Sequence, residues 1–218
     1  MGIFLIFLAL TVLEVSSLRV FTPPFTVNMA WDWLFQRDSE RQEGLLNHWL
    51  PLARISPHLR KAVLAGEDQR FLDHHGFDFL EMDQAVRDLV LRKGVRGAST
   101  ITMQTARTVF LWPSRSLLRK LAEAYYTLLM EIFWDKEMIL EVYLNTVDWG
   151  KGIRGAEAAS RSYFGVSAEA LSPSQAAFLA AILPNPHDWS PTRPNAQVLQ
   201  RQQRILRDMV KMPLVTSS

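Results

Sequence analysis

"LLRKLAEAYYTLLMEIFW", residues 117–134, decides the fold class. Leu117, Leu121, Ala124 and Leu128 recur there at helical spacing, with no glycine or proline between them. The same signals repeat outward from this stretch. Asp135 is an N-cap for "KEMILEVYLN" (136–145), immediately downstream. Ser56-Pro57 reads as a cap with proline at the first helical position. Ser172 and Gln175 stand at capping-box spacing ahead of an apolar run, with Pro173 between them. "NAQVLQRQQRILRDMV" (195–210) reads as a last amphipathic helix. No hairpin dipeptide sits between alternating residues, and no repeat occurs. The expected fold is all-α.

The chain has 218 residues, enough for a real core, and is 48% hydrophobic and 21% charged, which excludes a disordered polymer. Its formal net charge of +2 argues against a polycation that coats nucleic acid. It has no cysteine, so disulfides, thiolate metal sites and cysteine nucleophiles are excluded.

"GIFLIFLALTVLEVSSL" (2–18) is nearly all apolar apart from Glu14 and the serines. The run from Ile3 to Leu13 is short for a spanning helix, which needs about 20 residues. It is read as an uncleaved signal anchor; a cleaved signal peptide and a buried N-terminal helix are the alternatives. "TPPFTVN" (22–28) breaks any helix and reads as a linker. Trp31, Trp33, Phe35 and Trp49 follow, suited either to a membrane interface or to packing a small lobe.

Two stretches carry chemistry. "GEDQRFLDHHGFD" (66–78) runs an apolar helix end into Glu67. A carboxylate beside an apolar wall is a candidate for a raised pKa and acid/base work. The plain alternative is a solvated loop, with Asp68 capping or pairing locally. His74 and His75 are adjacent and cannot share a helix face as metal ligands spaced four apart do.

The second stretch is "RGASTITMQTARTVFLWPSRSLLRKLAE" (96–123). Its small and hydroxyl residues precede a helix whose free N–H groups suit an anion. Arg96, Arg107, Arg115, Arg119 and Lys120 supply cations for a phosphate or diphosphate, although each alone reads as a surface charge. No phosphate loop is present, so nucleotide binding is not indicated. Glu123 lies three after Lys120 and four after Arg119. It reads either as a helix-surface ion pair worth about 0.3–0.5 kcal/mol or as a second carboxylate facing the first.

"EDQRFLDHHGFD", "GASTITMQTART", "RKLAE", "KEMILEVYLN" and "RGAEAASRSYFG" occur in that order. Together they resemble the family 51 peptidoglycan glycosyltransferases of the short monofunctional biosynthetic kind, over about residues 22 to 190. The resemblance implies a lysozyme-like head lobe with a small membrane-proximal jaw, behind an N-terminal transmembrane anchor. Residues 1–21 would be the anchor, 22–55 a linker and membrane-proximal segment, and 56–218 the glycosyltransferase domain. It places the protein in the bacterial inner membrane, single-pass, with its catalytic domain on the periplasmic or outer face.

The resemblance also implies roles. Glu67 is the general base acting on the 4-hydroxyl of the N-acetylglucosamine of lipid II. Arg107, Arg115 and Lys120 match the diphosphate-contacting cations. Glu123, the second catalytic carboxylate, orients those cations or holds a divalent metal, magnesium or manganese, at the diphosphate. No tightly bound cofactor is implied. Ser99, Thr100 and Gln104 match the polar wall of the donor site. Arg154, with Asn145, matches later blocks that support the cleft or touch sugar. Partners are lipid II, the lipid-linked glycan chain, the membrane and other cell-wall synthesis proteins; no nucleic acid is expected.

Three positions in two pairs depart from the family. Met103-Gln104 stands where Gln-Gln is usual, and Arg107-Thr108 where Lys-Asn is usual. Arginine keeps the charge and adds a fork. Methionine loses an amide, though activity is expected to survive. The length leaves no room for a transpeptidase domain, so cross-linking is expected to fall to other proteins. A lysozyme-like hydrolase and a non-catalytic membrane-anchored scaffold are the rival functions. The cation set argues against the first, and retention of Glu67 and Glu123 against the second.

Overall fold

The computed structural model describes residues 2–19, 26–27, 30–31, 34, 49–91, 97–114, 116–150 and 152–216. Its helices are α1 (Gly2–Ser17), α2 (Pro57–Glu67), α3 (Phe79–Val90), α4 (Ile101–Phe110), α5 (Leu117–Phe133), α6 (Lys136–Thr146), α7 (Ala156–Phe164), α8 (Pro173–Ile182) and α9 (Ala196–Asp208). Among the described residues there is no strand, only an isolated antiparallel bridge between Asp148 and Arg154. The all-α class expected from the sequence is what forms.

The caps explain where the helices start. The Ser56 side chain accepts from His58 N with Pro57 in the first turn, and Asp135 accepts from Met138 N. Ser172 and Gln175 close a reciprocal capping box. Asp78, Ser116 and Asn195 cap α3, α5 and α9 in the same way, each contact stabilising its helix by about 1 kcal/mol.

α8 is apolar almost all round, with Ala176, Ala177, Leu179, Ala180, Ala181 and Ile182 buried, so it runs through the core. Its alanines let α2 and α9 approach closely, and α2 and α9 also touch one another. α4 lies against both α5 and α6. These two groups of helices meet at the C-terminal end of α2.

α5 matches the stretch that set the fold class, but its orientation differs from what an apolar stripe suggests. Leu117, Leu121 and Leu128 are exposed, while Glu123, Thr127, Leu129 and Met130 are buried. α1 docks on α5. Thr11 Oγ1 and Tyr125 Oη are 2.6 Å apart, Tyr126 Oη donates to Glu14 (2.9 Å), and Trp134 Nε1 donates to the Val15 carbonyl (2.8 Å). α1 still exposes Leu5, Ile6, Phe7, Leu10 and Leu13. No helix among the described residues is long and apolar enough to cross a membrane. The 16 residues of α1 rise about 24 Å, short of a hydrocarbon core of about 30 Å. Trp33 and Phe35 lie outside the described residues. Trp49 packs against the core and donates its indole N–H to Glu141 (3.0 Å).

The turn at 148–154 seats the fully buried Trp149, whose carbonyl accepts from Tyr163 Oη at 2.8 Å. It depends on Gly150, at φ +93°, where an added Cβ would lie 1.8 Å from the Pro186 carbonyl oxygen. Backbone cannot yield as a flexible side chain would. Gly150→Ala is therefore expected to destabilise the fold by about 2–4 kcal/mol in denaturant unfolding; a loss under about 0.5 kcal/mol would contradict this packing.

Candidate active site

α2 delivers Glu67 as its last residue, because the chain turns away at Asp68. The loop from 68 to 78 is tied to the start of α4 at two points. The buried Asp68 carboxylate accepts from His74 Nε2 (2.9 and 3.1 Å) and from the Ile101 backbone N–H (3.0 Å). Thr100 donates to the Gly76 carbonyl (2.6 Å) while accepting from Met103 N as the cap of α4. Gly76 has φ +86°, and a Cβ there would meet Thr127 Cγ2 at 2.7 Å. Charge-assisted bonds of the Asp68 kind are the strong members of such a lattice.

This stitching aims Gln104, one turn into α4, at Glu67. Gln104 Nε2 donates to Glu67 Oε2 (3.0 Å), and its carbonyl accepts from Tyr143 Oη (3.3 Å). From the opposite side Arg201 Nη2, on α9, donates to Glu67 Oε1 (2.8 Å) and to the Gly66 carbonyl (2.8 Å). The Glu67 side chain is 12% exposed. Burial pushes its carboxyl above the ordinary carboxylate range; the Arg201 charge and the bonds from Gln104 and Arg201 pull it part of the way back. Tyr143 is fully enclosed, and burial, then the Glu67 charge, holds its phenol well above its usual pKa.

Glu67 opens into a cavity of about 670 Å³. Ser99, Thr100, Gln104 and Arg107 line it from the α4 side, and Arg201 and Arg204 from α9. Five residues singled out in the sequence therefore converge on one space. Thr100 spends its hydroxyl on capping and bracing.

The others lie elsewhere. Glu123 is fully buried, with both carboxylate oxygens taken by Arg119 and Lys120 of its own helix. Neither Glu123 nor Lys120 lines the cavity. Arg154 is 8% exposed at the Asp148 bridge, also away from the cavity lining. Asn145 clamps residue 50: its side chain accepts from Leu50 N and donates to the Leu50 carbonyl, both at 2.9 Å. Arg96 and Arg115 lie outside the described residues. Met103 is buried and off the cavity wall, while Thr108 bonds back to the Gln104 carbonyl (3.0 Å).

Asp68, His74 and Asp78 come within 4.8 Å of one another, so together they could hold a cation. Their bonds have structural uses. Asp68 braces α4, and Asp78 accepts from Arg70 and from the first N–H groups of α3. Metal-ligand spacing in sequence did not reveal this group, because it is assembled by a loop. Sequence reasoning also passed over Arg201, Arg204 and Tyr143. The available signal was weak: Arg201 borders the buried stripe Val198, Gln202, Ile205 and Met209.

The geometry agrees with comparisons to known proteins. The model of the Transglycosylase family matches residues 37–210. A protein of Bacteroides thetaiotaomicron named biosynthetic peptidoglycan transglycosylase is 44% identical over 97% of this chain and 86% of its own length. Proteins of the same name from Chromohalobacter salexigens and Pseudomonas fluorescens are 51% and 46% identical. They cover 76% and 93% of this chain, and 71% and 84% of their own lengths. With the family's match spanning most of the sequence and a relative 44% identical over 97% of it, the chain belongs to the Transglycosylase family.

Proposed function

We propose that this protein is a peptidoglycan glycan-strand polymerase that transfers the lipid-linked chain onto lipid II. The observation that carries the reading is Glu67: a largely enclosed carboxylate, held from two sides, facing a large cavity whose α4 wall carries Arg107. Glu67 takes the proton from the 4-hydroxyl of the acceptor N-acetylglucosamine. That oxygen forms a bond to the anomeric carbon of the N-acetylmuramic acid at the lipid-linked end. The bond from that carbon to the diphosphate oxygen breaks, and undecaprenyl diphosphate leaves with the electron pair. One displacement inverts the α-linked donor to a β-1,4 bond, so no covalent glycosyl-enzyme is needed.

The charge develops on the diphosphate, where fixed cations lower the barrier most. Arg107 at the cavity wall is one; Arg115 and Lys120 complete the set in this reading. Glu123 orients cations: both its oxygens are already occupied by Arg119 and Lys120, which does not fit a metal ligand as the side chains stand. No step is therefore assigned to a divalent ion, and no tightly bound cofactor is proposed. Ser99 and Gln104 contact the donor sugars, and Arg154 supports the cleft from the 148–154 turn.

The same reading places the protein at the outer face of the bacterial cytoplasmic membrane. α3 buries none of its residues and exposes Phe79, Leu80, Val86, Leu89 and Val90. α5 adds Leu117, Leu118, Leu121 and Ile132, and α1 its own apolar face. Exposed apolar surface of this extent suits contact with lipid. α3 would then belong to the membrane-proximal jaw and the remaining core to the lysozyme-like head. Residues 1–21 would be the anchor, 22–55 the membrane-proximal segment and 56–218 the catalytic domain, with other cell-wall synthesis proteins as partners.

Purified lipid II in detergent, with products resolved on a gel, tests the reaction. Wild type should give long glycan and Glu67→Gln none, a loss of at least about a thousandfold in rate. Shortening of preformed glycan would indicate a hydrolase, and no product from a folded wild type a scaffold. The pH profile carries a second expectation. Glu67 must be ionised to act, and its carboxyl is raised by burial. Activity should therefore fall as pH drops through a value above the ordinary glutamate range, with the limb absent from pH-independent binding controls. Because Met103 is buried away from the cavity, Met103→Gln should leave turnover within about tenfold of wild type; a gain above a hundredfold would place that side chain in the reaction.

A further inference from the structure

We propose that Arg201 is a positioning residue for Glu67, setting both the direction of its carboxylate and the pH at which it is ionised. The inference rests on Glu67 being the base.

Arg201 Nη2 spans two acceptors, the Gly66 carbonyl and Glu67 Oε1, each at 2.8 Å. One nitrogen thus pins the carboxylate to the exposed end of the helix that carries it. Gln104 holds the other oxygen at 3.0 Å. With one donor on each oxygen, from two different helices, the carboxylate cannot rotate without breaking a bond. Gly66 makes the approach feasible. A Cβ there would sit 3.1 Å from Ile205 Cδ1 and 3.6 Å from Arg201 Nη2, so the absent side chain leaves the space that α9 fills.

The charge balance around Glu67 singles out the same residue. From α9 it is faced by Arg201 and Arg204, from α4 by Gln104 and Arg107, and from α6 by Tyr143. Asp68, Arg70, Asp78 and Glu81 lie on its own loop and the start of α3. α8 ends nearby in Leu183 and Pro184, which do not titrate. Among these groups, only Arg201 ion-pairs directly with Glu67 in the described residues. It opposes burial, which raises the Glu67 carboxyl. A base raised by burial and drawn back by its partner's charge is tuned toward its operating pH, the condition that favours general-base catalysis.

The sign follows. Removing the positive charge raises the Glu67 carboxyl further, so the acid limb of the rate profile moves to higher pH. Arg201→Met is expected to move it up by about one pH unit or more, to cut turnover at neutral pH at least about tenfold, and to regain part of it on the alkaline side, with KM for lipid II little changed. Arg201→Lys keeps the charge but loses the two-acceptor reach; its limb should stay at the wild-type position while kcat falls. The measurement is kcat and KM against pH for the full-length protein in detergent, with thermal unfolding of each variant alongside. An unmoved limb in Arg201→Met, or a rise in KM with an unmoved limb, overturns the proposal in favour of direct substrate contact. Arg201→Gln, which keeps a donor for Gly66 without the charge, reports the limb if the Met variant unfolds. Unfolding of both neutral variants makes the role structural and also overturns it. Glu67→Gln run in parallel separates the two readings: activity in that variant removes the base itself, whatever Arg201 does.

Discussion

A carboxylate taken out of water is the constraint around which this protein is arranged. Glu67 sits where α2, α4 and α9 meet, with most of its side chain enclosed. An ionised group in such a place is costly unless its lone pairs are used. Gln104 and Arg201 use them, one from each side. The two donors come from segments far apart in sequence. Their meeting requires that α8 pack α2 against α9, and that the loop after Glu67 be fastened to α4.

That fastening is a second layer of buried polar contacts. Asp68 reaches the first backbone N–H of α4, Thr100 reaches back to Gly76, and His74 fills the remaining room around Asp68. Two of these bonds hold backbone, so the loop that looks wet by composition is tied to α4. The rest of the acidic stretch is spent in the same way: Asp78 caps α3 and Arg70 pairs with it. The titratable side chains of this stretch thus divide: Glu67 is held over the cavity, Asp68, Arg70, His74 and Asp78 tie the loop and its neighbouring helices, and Asp73 and His75 are exposed.

Glu123 is the counterpart on the cation side. Fully buried, it is offset by Arg119 and Lys120 one turn before it, which fixes two flexible cations at the head of α5. α5 meanwhile turns its leucines outward. An apolar face left in contact with solvent is costly unless another apolar phase covers it. α1 covers part of α5 through Tyr125, Tyr126 and Trp134, and the leucines that remain exposed form the face that the proposed function assigns to lipid.

The sequence by itself determined the helical class, because spacing and capping are local properties. Ser56, Asp135 and the Ser172–Gln175 box act within one turn of chain, and each forms as read. It also marked Glu67, Ser99, Thr100, Gln104 and Arg107 as candidate site residues, through the resemblance of the ordered blocks to a family, and these five line one cavity. Periodicity could not tell which face of α5 is buried, because an apolar stripe signals an apolar environment and not whether that environment is protein. Nor could it reveal Arg201. A single arginine beside a helix stripe looks like any surface charge until tertiary packing brings it within 2.8 Å of a carboxylate 134 residues away. Contacts of that range depend on where helices cross, and the crossing of α9 over α2 is decided by alanines in α8 and the missing side chain of Gly66.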